Sequence, residues 1–322
     1  MKKVVTGKDR LIGQHDGVRG PLIIVMGGIH GNEIAGIKAL KLLFKMLQDE
    51  PLTNPSFEFK GRLIGLYGNL AAIKAKKRFV EVDLNRQWTP EHVASILKSP
   101  NHTLNSEELE VKGICTSIRN EVKSYRPEKI ILLDLHTTSA EDGIFSIPSG
   151  TAESYQLAKA LFAPVISNLT DTLHGTFMQY FDVSYLGVPS VAATFESGRH
   201  DDPLSVNRSV AAIVNCLRFV GAVRPEDVES RHDDILKSYT AHLPRLARMA
   251  YKHPFSAKDQ FRMRPGYRNF SPVKKGDYLA DDINGKILSP LTGYILMPLY
   301  QVQGSEGFFI VTEQKPMGHS AG

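Results

Sequence analysis

Leu22-Ile23-Ile24-Val25-Met26-Gly27-Gly28-Ile29-His30-Gly31-Asn32-Glu33 decides how this chain is read. The apolar run from Leu22 to Val25 has the length of a buried strand, and a helical pattern follows Glu33. His30 and Glu33 therefore stand on a strand-to-helix turn. The glycines at 27, 28 and 31 allow backbone conformations closed to residues with a Cβ, so both side chains can turn toward one point at the strand's carboxyl end. One imidazole and one carboxylate three positions apart make up part of a catalytic zinc site, which needs three protein ligands and an open position. The plainer reading is a glycine-rich turn in which Asn32 caps the next helix. A third ligand decides between them.

Downstream, Ile34, Ile37, Leu40, Phe44 and Leu47 alternate with Lys38, Lys41, Lys45 and Gln48, an amphipathic helix with a solvated lysine face that Pro51 and Pro55 end. Arg62 to Tyr67 reads as the next strand. Residues 74–88 lack core periodicity and read as a loop, within which Arg78 and Arg86 are candidates for gripping a carboxylate bidentately. A helix is expected from about Asn105 to Tyr125, and Pro127 stops it. Then Ile130-Ile131-Leu132-Leu133-Asp134-Leu135 delivers His136 at a strand's carboxyl end, and His136 is the third ligand sought. Asp134 is either a partner that orients a ligand histidine or a plain strand-end carboxylate.

Thr151 to Phe162 is expected as helix and 167–187 as irregular chain, with His174 an ordinary loop histidine rather than a pocket residue. Val188 to Phe195 forms a further strand, and Glu196, just past its end, is the candidate general base. Leu204 to Val220 is helical, and the polar stretch 225–240 reads as a connector. Residues 1–240 thus alternate strand and helix, an α/β domain with a mostly parallel sheet flanked by helices. Short apolar runs between turn signals such as Asn284-Gly285 make 241–322 a smaller all-β domain.

Composition narrows the function. The 322 residues carry 39 Lys+Arg against 34 Asp+Glu, a net charge of +5 that suits a small anionic substrate and is too weak for nucleic acid. No run of 18 apolar residues or secretory leader is visible, so no membrane is expected as partner. Only two cysteines, Cys115 and Cys216, fit a reducing compartment, and the protein is expected in the cytoplasm. Self-association is left open.

The order His30, Glu33, Arg78, Asn85, Arg86, His136, Glu196 resembles the succinylglutamate desuccinylase and aspartoacylase family, whose fold is similar to that of the zinc carboxypeptidases. The resemblance rests on Gly28 to Glu33, on Asp83-Leu84-Asn85-Arg86 with an arginine seven residues before the asparagine, on Asp134-Leu135-His136, and on Phe195 to Gly198. It implies one Zn2+ per chain held by His30, Glu33 and His136. It further implies that Glu196 takes a proton from the attacking water and passes it to the leaving amine. Arg78 would stabilise the oxyanion, and Asn85 with Arg86 would hold the substrate's carboxylate. The expected activity is hydrolysis of an N-acyl-amino acid or a similar small amide; the alternatives are a carboxypeptidase-like peptide hydrolase and a catalytically silent metal-binding module. Two departures stand out. Residues 174–191 do not reproduce the arginine and tyrosine that aspartoacylases are expected to use for a second carboxylate, and Gly307-Phe308-Phe309 stands where a tyrosine is expected.

Overall fold

A computed structural model of the chain describes residues 4–181, 183–229 and 231–314. The amino-terminal half begins with β1 (Leu11–Asp16), β2 (Val18–Gly27), α1 (Ala35–Thr53) and β3 (Lys60–Tyr67). Three helices follow, α2 (Leu70–Ala75), α3 (Pro90–Lys98) and α4 (Ser106–Tyr125). Next come β4 (Ile130–Thr138), β5 (Phe145–Pro148), α5 (Ala152–Ala160) and β6 (Val165–Ser167). Two single-turn helices, α6 (Phe177–Tyr180) and α7 (Val183–Leu186), lead to β7 (Ser190–Arg199), α8 (Leu204–Phe219) and α9 (Arg231–Thr240). The remainder is β-structure: β8 (Leu246–Pro254), β9 (Arg262–Met263), β10 (Pro272–Val273), β11 (Tyr278–Asp282), β12 (Gly285–Leu288), β13 (Gly293–Leu296) and β14 (Glu306–Glu313).

The expected fold class is the one found: a large sheet, with parallel strands at its centre, flanked by helices, plus a small antiparallel sheet. The large sheet runs β1-β3-β2-β4-β7-β5-β6-β8-β14-β13-β10, and β3, β2, β4 and β7 are mutually parallel. The carboxyl-terminal strands extend this sheet, because β8 pairs parallel with β6; β12, β11 and β9 form the second sheet.

The continuous apolar run of β2 follows from burial on both faces. Ile23 and Val25 join the core under α1 and α8, while Leu22, Ile24 and Met26 join the core under α3 and α4. The same alternation sorts β4: Ile131, Leu133 and Leu135 face α8, and Ile130 and Leu132 face α4. With a side-chain period of two, Asp134 and His136 fall on the α4 face, as do Thr194 and Glu196 on β7 beyond Ala192. Strand register thus gathers the polar residues on one face at the carboxyl edge.

Several local expectations are corrected. Pro51 lies inside α1, which runs on to Thr53, because a proline in the last turn forfeits one backbone bond without breaking the rod. The stretch 225–240 is no bare connector: His232 and Leu236 of α9 are buried, and Tyr239 lies under the Arg208 guanidinium at 3.7 Å. The polar stretch 74–88 opens on the end of α2 and contains a short 3-10 turn at Leu84–Arg86. Within 167–187, α6 forms around an aromatic cluster in which Phe177, Tyr180 and Phe181 pack on Trp88. β7 continues through Glu196 to Arg199, so Glu196 is a strand residue. The final eight residues of the expected β domain, 315–322, lie outside the described residues.

Candidate metal and catalytic site

The turn after β2 works through two glycines. Gly28 takes a positive φ of 77°, which only glycine adopts without strain. Gly31 does not; its role is close approach, since a Cβ there would lie 2.1 Å from the backbone carbon of Ala72. Asn32 does not cap α1, whose N-cap residue is Ile34; its side-chain amide donates instead to Gln301 Oε1 at 3.1 Å.

β2 and β4 are adjacent, and Gly27 is in register with Leu135, so the two histidines meet past the strand tips with ring centroids 5.0 Å apart. His30 Nδ1 lies 2.8 Å from Glu33 Oε1, and His136 Nδ1 lies 3.1 Å from Glu33 Oε2. The other ring nitrogens face carboxylates: His30 Nε2 lies 3.3 Å from Asp83 Oδ1, and His136 Nε2 lies 2.7 Å from Asp134 Oδ2. An Nε2–H donated outward leaves the Nδ1 lone pair directed inward, the arrangement in which a second carboxylate orients a metal-binding imidazole. Of the two readings of Asp134, the geometry selects the orienting partner.

Ligand atoms of His30, Glu33 and His136 all lie within 4.8 Å of one another, and all three residues are buried. Zinc bonds of about 2.0–2.1 Å in a tetrahedron require ligand atoms roughly 3.4 Å apart, which the Nδ1–carboxylate separations approach. Two imidazoles and one carboxylate also form a donor set that zinc accepts. The residues therefore fit the ion.

Electrostatics report the same crowding. Burial alone would raise the Glu33 carboxyl, but the two imidazoles override it and hold the group well below the usual carboxylate range. Burial likewise opposes charge on His136, yet Asp134 and Glu33 hold its imidazole well above the ordinary value. The Thr137 N–H donates to Glu33 Oε2 at 3.0 Å, fixing the carboxylate from the β4 side.

Glu196 sits beside His136 in the β4–β7 register. It is 7% exposed, and its Oε2 is buried without a hydrogen-bond partner among the described residues. Burial pushes its carboxyl up to about 8. Arg78 donates from Nη1 to Glu33 Oε1 at 3.3 Å, and from Nε and Nη2 to Asp83 Oδ2 at 3.2 and 3.1 Å. Arg86 donates from Nε and Nη2 to Glu306 at 3.4 and 3.0 Å. The Asn85 side-chain oxygen accepts from Phe177 N at 2.8 Å.

His30, Glu33, Arg78, Asn85, Arg86, His136 and Glu196 all line one cavity of about 120 Å³. His174 is exposed and lines none of it. Three contributors escaped the sequence reading. Asp83 stood in the Asp83–Arg86 motif without a role. Glu306 comes from the edge of β14 and carries no local mark. Glu107, fully buried in the first turn of α4, accepts from the backbone N–H groups of Val80, Glu81 and Val82 at 2.7, 3.1 and 3.2 Å and from Asn69 Nδ2 at 3.0 Å. It anchors the loop that carries Arg78 and Asp83. A glutamate three positions before the helix-facing Glu110 has no sequence signature that separates it from an ordinary capping acid.

The chain is similar to known proteins of one family. Residues 19–217 match the succinylglutamate desuccinylase/aspartoacylase catalytic domain. A Nostoc sp. protein described as a probable aspartoacylase is 32% identical over 150 residues, covering 46% of this chain and 45% of that protein, less than half of its length. Succinylglutamate desuccinylase of Pseudomonas putida is 28% identical over 273 residues, covering 81% of this chain and 73% of the relative. The crystal structure of a succinylglutamate desuccinylase/aspartoacylase from Rhodobacter sphaeroides superimposes with a TM-score of 0.65 at 17% identity, over 94% of this chain and 88% of that one, a likeness of fold. The chain accordingly belongs to the succinylglutamate desuccinylase/aspartoacylase family, whose named members are deacylating hydrolases.

Proposed function

We propose that the protein is a zinc-dependent amidohydrolase that cleaves the amide bond of an N-acyl-amino acid or a similar small carboxylate-bearing amide. Zinc held by His30, Glu33 and His136 would supply a Lewis acid and lower the pKa of a water at the site to about 7. Glu196 takes the proton of the attacking water on its unpartnered oxygen and returns it to the departing nitrogen. Three N–H groups of Arg78 are engaged by Glu33 and Asp83. A guanidinium has five, so two remain to meet the carbonyl oxygen as charge builds on it. Three N–H groups of Arg86 are likewise engaged, by Glu306 and the Asn85 carbonyl. The two left suit a substrate carboxylate.

The observation that carries this reading is the buried, unpartnered Glu196 Oε2 beside a converging His-Glu-His group. A small substrate is favoured over a peptide by the loop before β14, whose Leu299, Gln301 and Gly304 line the cavity and which is tied to its other walls. Gln303 Oε1 accepts from Arg78 N at 3.1 Å, Gln301 pairs with Asn32, and Tyr300 N donates to Ser139 Oγ at 3.1 Å. Among the described residues no helix is long and apolar enough to cross a membrane.

The test is metal analysis of the purified protein with turnover of N-acyl-amino acids by wild type and Glu196→Gln. One zinc per chain is expected, retained in the variant, whose kcat falls by about 10²- to 10⁴-fold, the usual loss of a general base. Absence of zinc, or turnover that survives the substitution, overturns the proposal.

A further inference from the structure

The cavity has a polar floor and an apolar wall. Ile147, Leu169, Leu173, Met297 and Phe309 line it, and all five belong to or pack against a single hydrophobic cluster between β5, β6 and β14. The wall starts next to the reacting end. Phe145 and Ile147 of β5 are the cross-strand partners of Glu196 and Thr194, so Ile147 shares a sheet face with Glu196, one pleat away. Glu196 returns its proton to the departing nitrogen, so the amino-acid side chain beyond that nitrogen, extended along β7, runs onto this surface.

Among the described residues no cation awaits a charge there. The cavity's arginines are Arg78, paired with Glu33 and Asp83, and Arg86, paired with Glu306. Lys252, the cross-strand partner of Phe309, is outside the lining and donates its Nζ to the Thr172 carbonyl at 2.7 Å. Phe309 itself offers a ring and no hydroxyl. A carboxylate laid on this wall would be desolvated with no cation beside it among the described residues and only neutral hydroxyls such as those of Thr170 and Thr176 in reach, an arrangement that apolar sites reject.

Resting on the hydrolase reading above, we infer that the substrate carries a single carboxylate, taken by the two remaining N–H groups of Arg86, and an uncharged apolar group that lies against Ile147, Leu169, Leu173, Met297 and Phe309. The substrate class is thus an N-acyl derivative of an apolar monocarboxylic amino acid, and neither an acyl-aspartate nor a succinyl-glutamate.

Binding tests this independently of turnover. Zinc-loaded Glu196→Gln protein is titrated calorimetrically with N-acetyl-leucine and N-acetyl-aspartate, and wild-type turnover of both is followed in parallel. The leucine derivative is expected to bind about 100-fold more tightly, since an unpaired buried charge costs at least that much. Leu173→Arg, at a partly buried position that can seat a longer side chain, places a cation on the wall and is expected to shrink the ratio tenfold or more. Equal or tighter binding of the aspartate derivative overturns the inference, as does failure of both ligands to bind at millimolar concentration. Apolar preference in binding without turnover of either compound upholds the pocket assignment and defeats the hydrolase reading, so the two failures are distinguishable.

Discussion

Replacing Glu107 probes how the catalytic loop is held. Its carboxylate is fully buried and accepts four hydrogen bonds, three from successive backbone N–H groups at 80–82. Bonds to an ionised acceptor are each worth about 1.5–3 kcal/mol, and bonds sharing one acceptor do not add independently. Glu107→Ala, which leaves those donors without their acceptor, is expected to cost about 4 kcal/mol. Glu107→Gln keeps one accepting oxygen and should cost about half as much, roughly 2 kcal/mol. For a chain of this size each kcal/mol lowers Tm by about 2 °C, so the alanine variant should melt about 8 °C and the glutamine variant about 4 °C below wild type. Function should divide along the same line. His30, Glu33 and His136 are carried by β2, β4 and the turn after β2, whereas Arg78 and Asp83 ride on the anchored loop. At a temperature where both variants are folded and zinc is in excess, kcat should fall at least tenfold while zinc content stays near one per chain, although zinc affinity weakens as Asp83 moves from His30. An alanine variant that melts within a degree of wild type, or that loses zinc while its remaining metal-loaded fraction keeps full kcat, would refute the anchoring role.

Metal-free protein should lose stability as pH rises. Burial raises Glu196 to about 8, and Asp134 with Glu33 raises His136 despite its burial. Groups with raised folded-state values contribute stability that is complete below their unfolded values, near 4.5 and 6.5, and is lost as pH climbs through the folded ones, at about 1.4 kcal/mol per pH unit and group. The apo Tm should therefore fall between pH 7 and 9, above the range in which the lowered imidazoles of His15, His200, His232 and His253 add stability as pH rises. Zinc should offset this increasingly at higher pH, because its ligands bind it deprotonated; an apo Tm that rises over this range contradicts the assignment. Asp134→Asn should weaken zinc binding about 10- to 100-fold in chelator competition, through loss of the carboxylate that orients His136. Gly31→Ala should abolish zinc binding or soluble expression, since its Cβ would overlap the Ala72 backbone, whereas Gly150→Ala, with nothing within 4 Å of its Cβ, should match wild type in both measurements.

What the sequence by itself determined was the local and the periodic. The uninterrupted apolar runs at 22–25 and 130–133 mark strands buried on both faces, and titratable residues past each run mark the carboxyl edge where sites form. The two strands' being neighbours in register, and so the meeting of His30 with His136, was a conjecture that only packing could turn into 5.0 Å. Short or mixed strands such as β1, β5 and β6 went unread, because their pairing is set by partners distant in sequence rather than by their own pattern. The same reason hid Glu306, whose partner Arg86 is 220 residues earlier, and Glu107, whose donors are about 25 residues earlier. Sequence could name the chemistry at each strand tip, since that depends on residue type and the period of the strand. Which carboxylates occupy the arginines, and which apolar side chains close the far wall, was decided by the tertiary structure, because ion pairs and cavity walls form between side chains that no local periodicity relates.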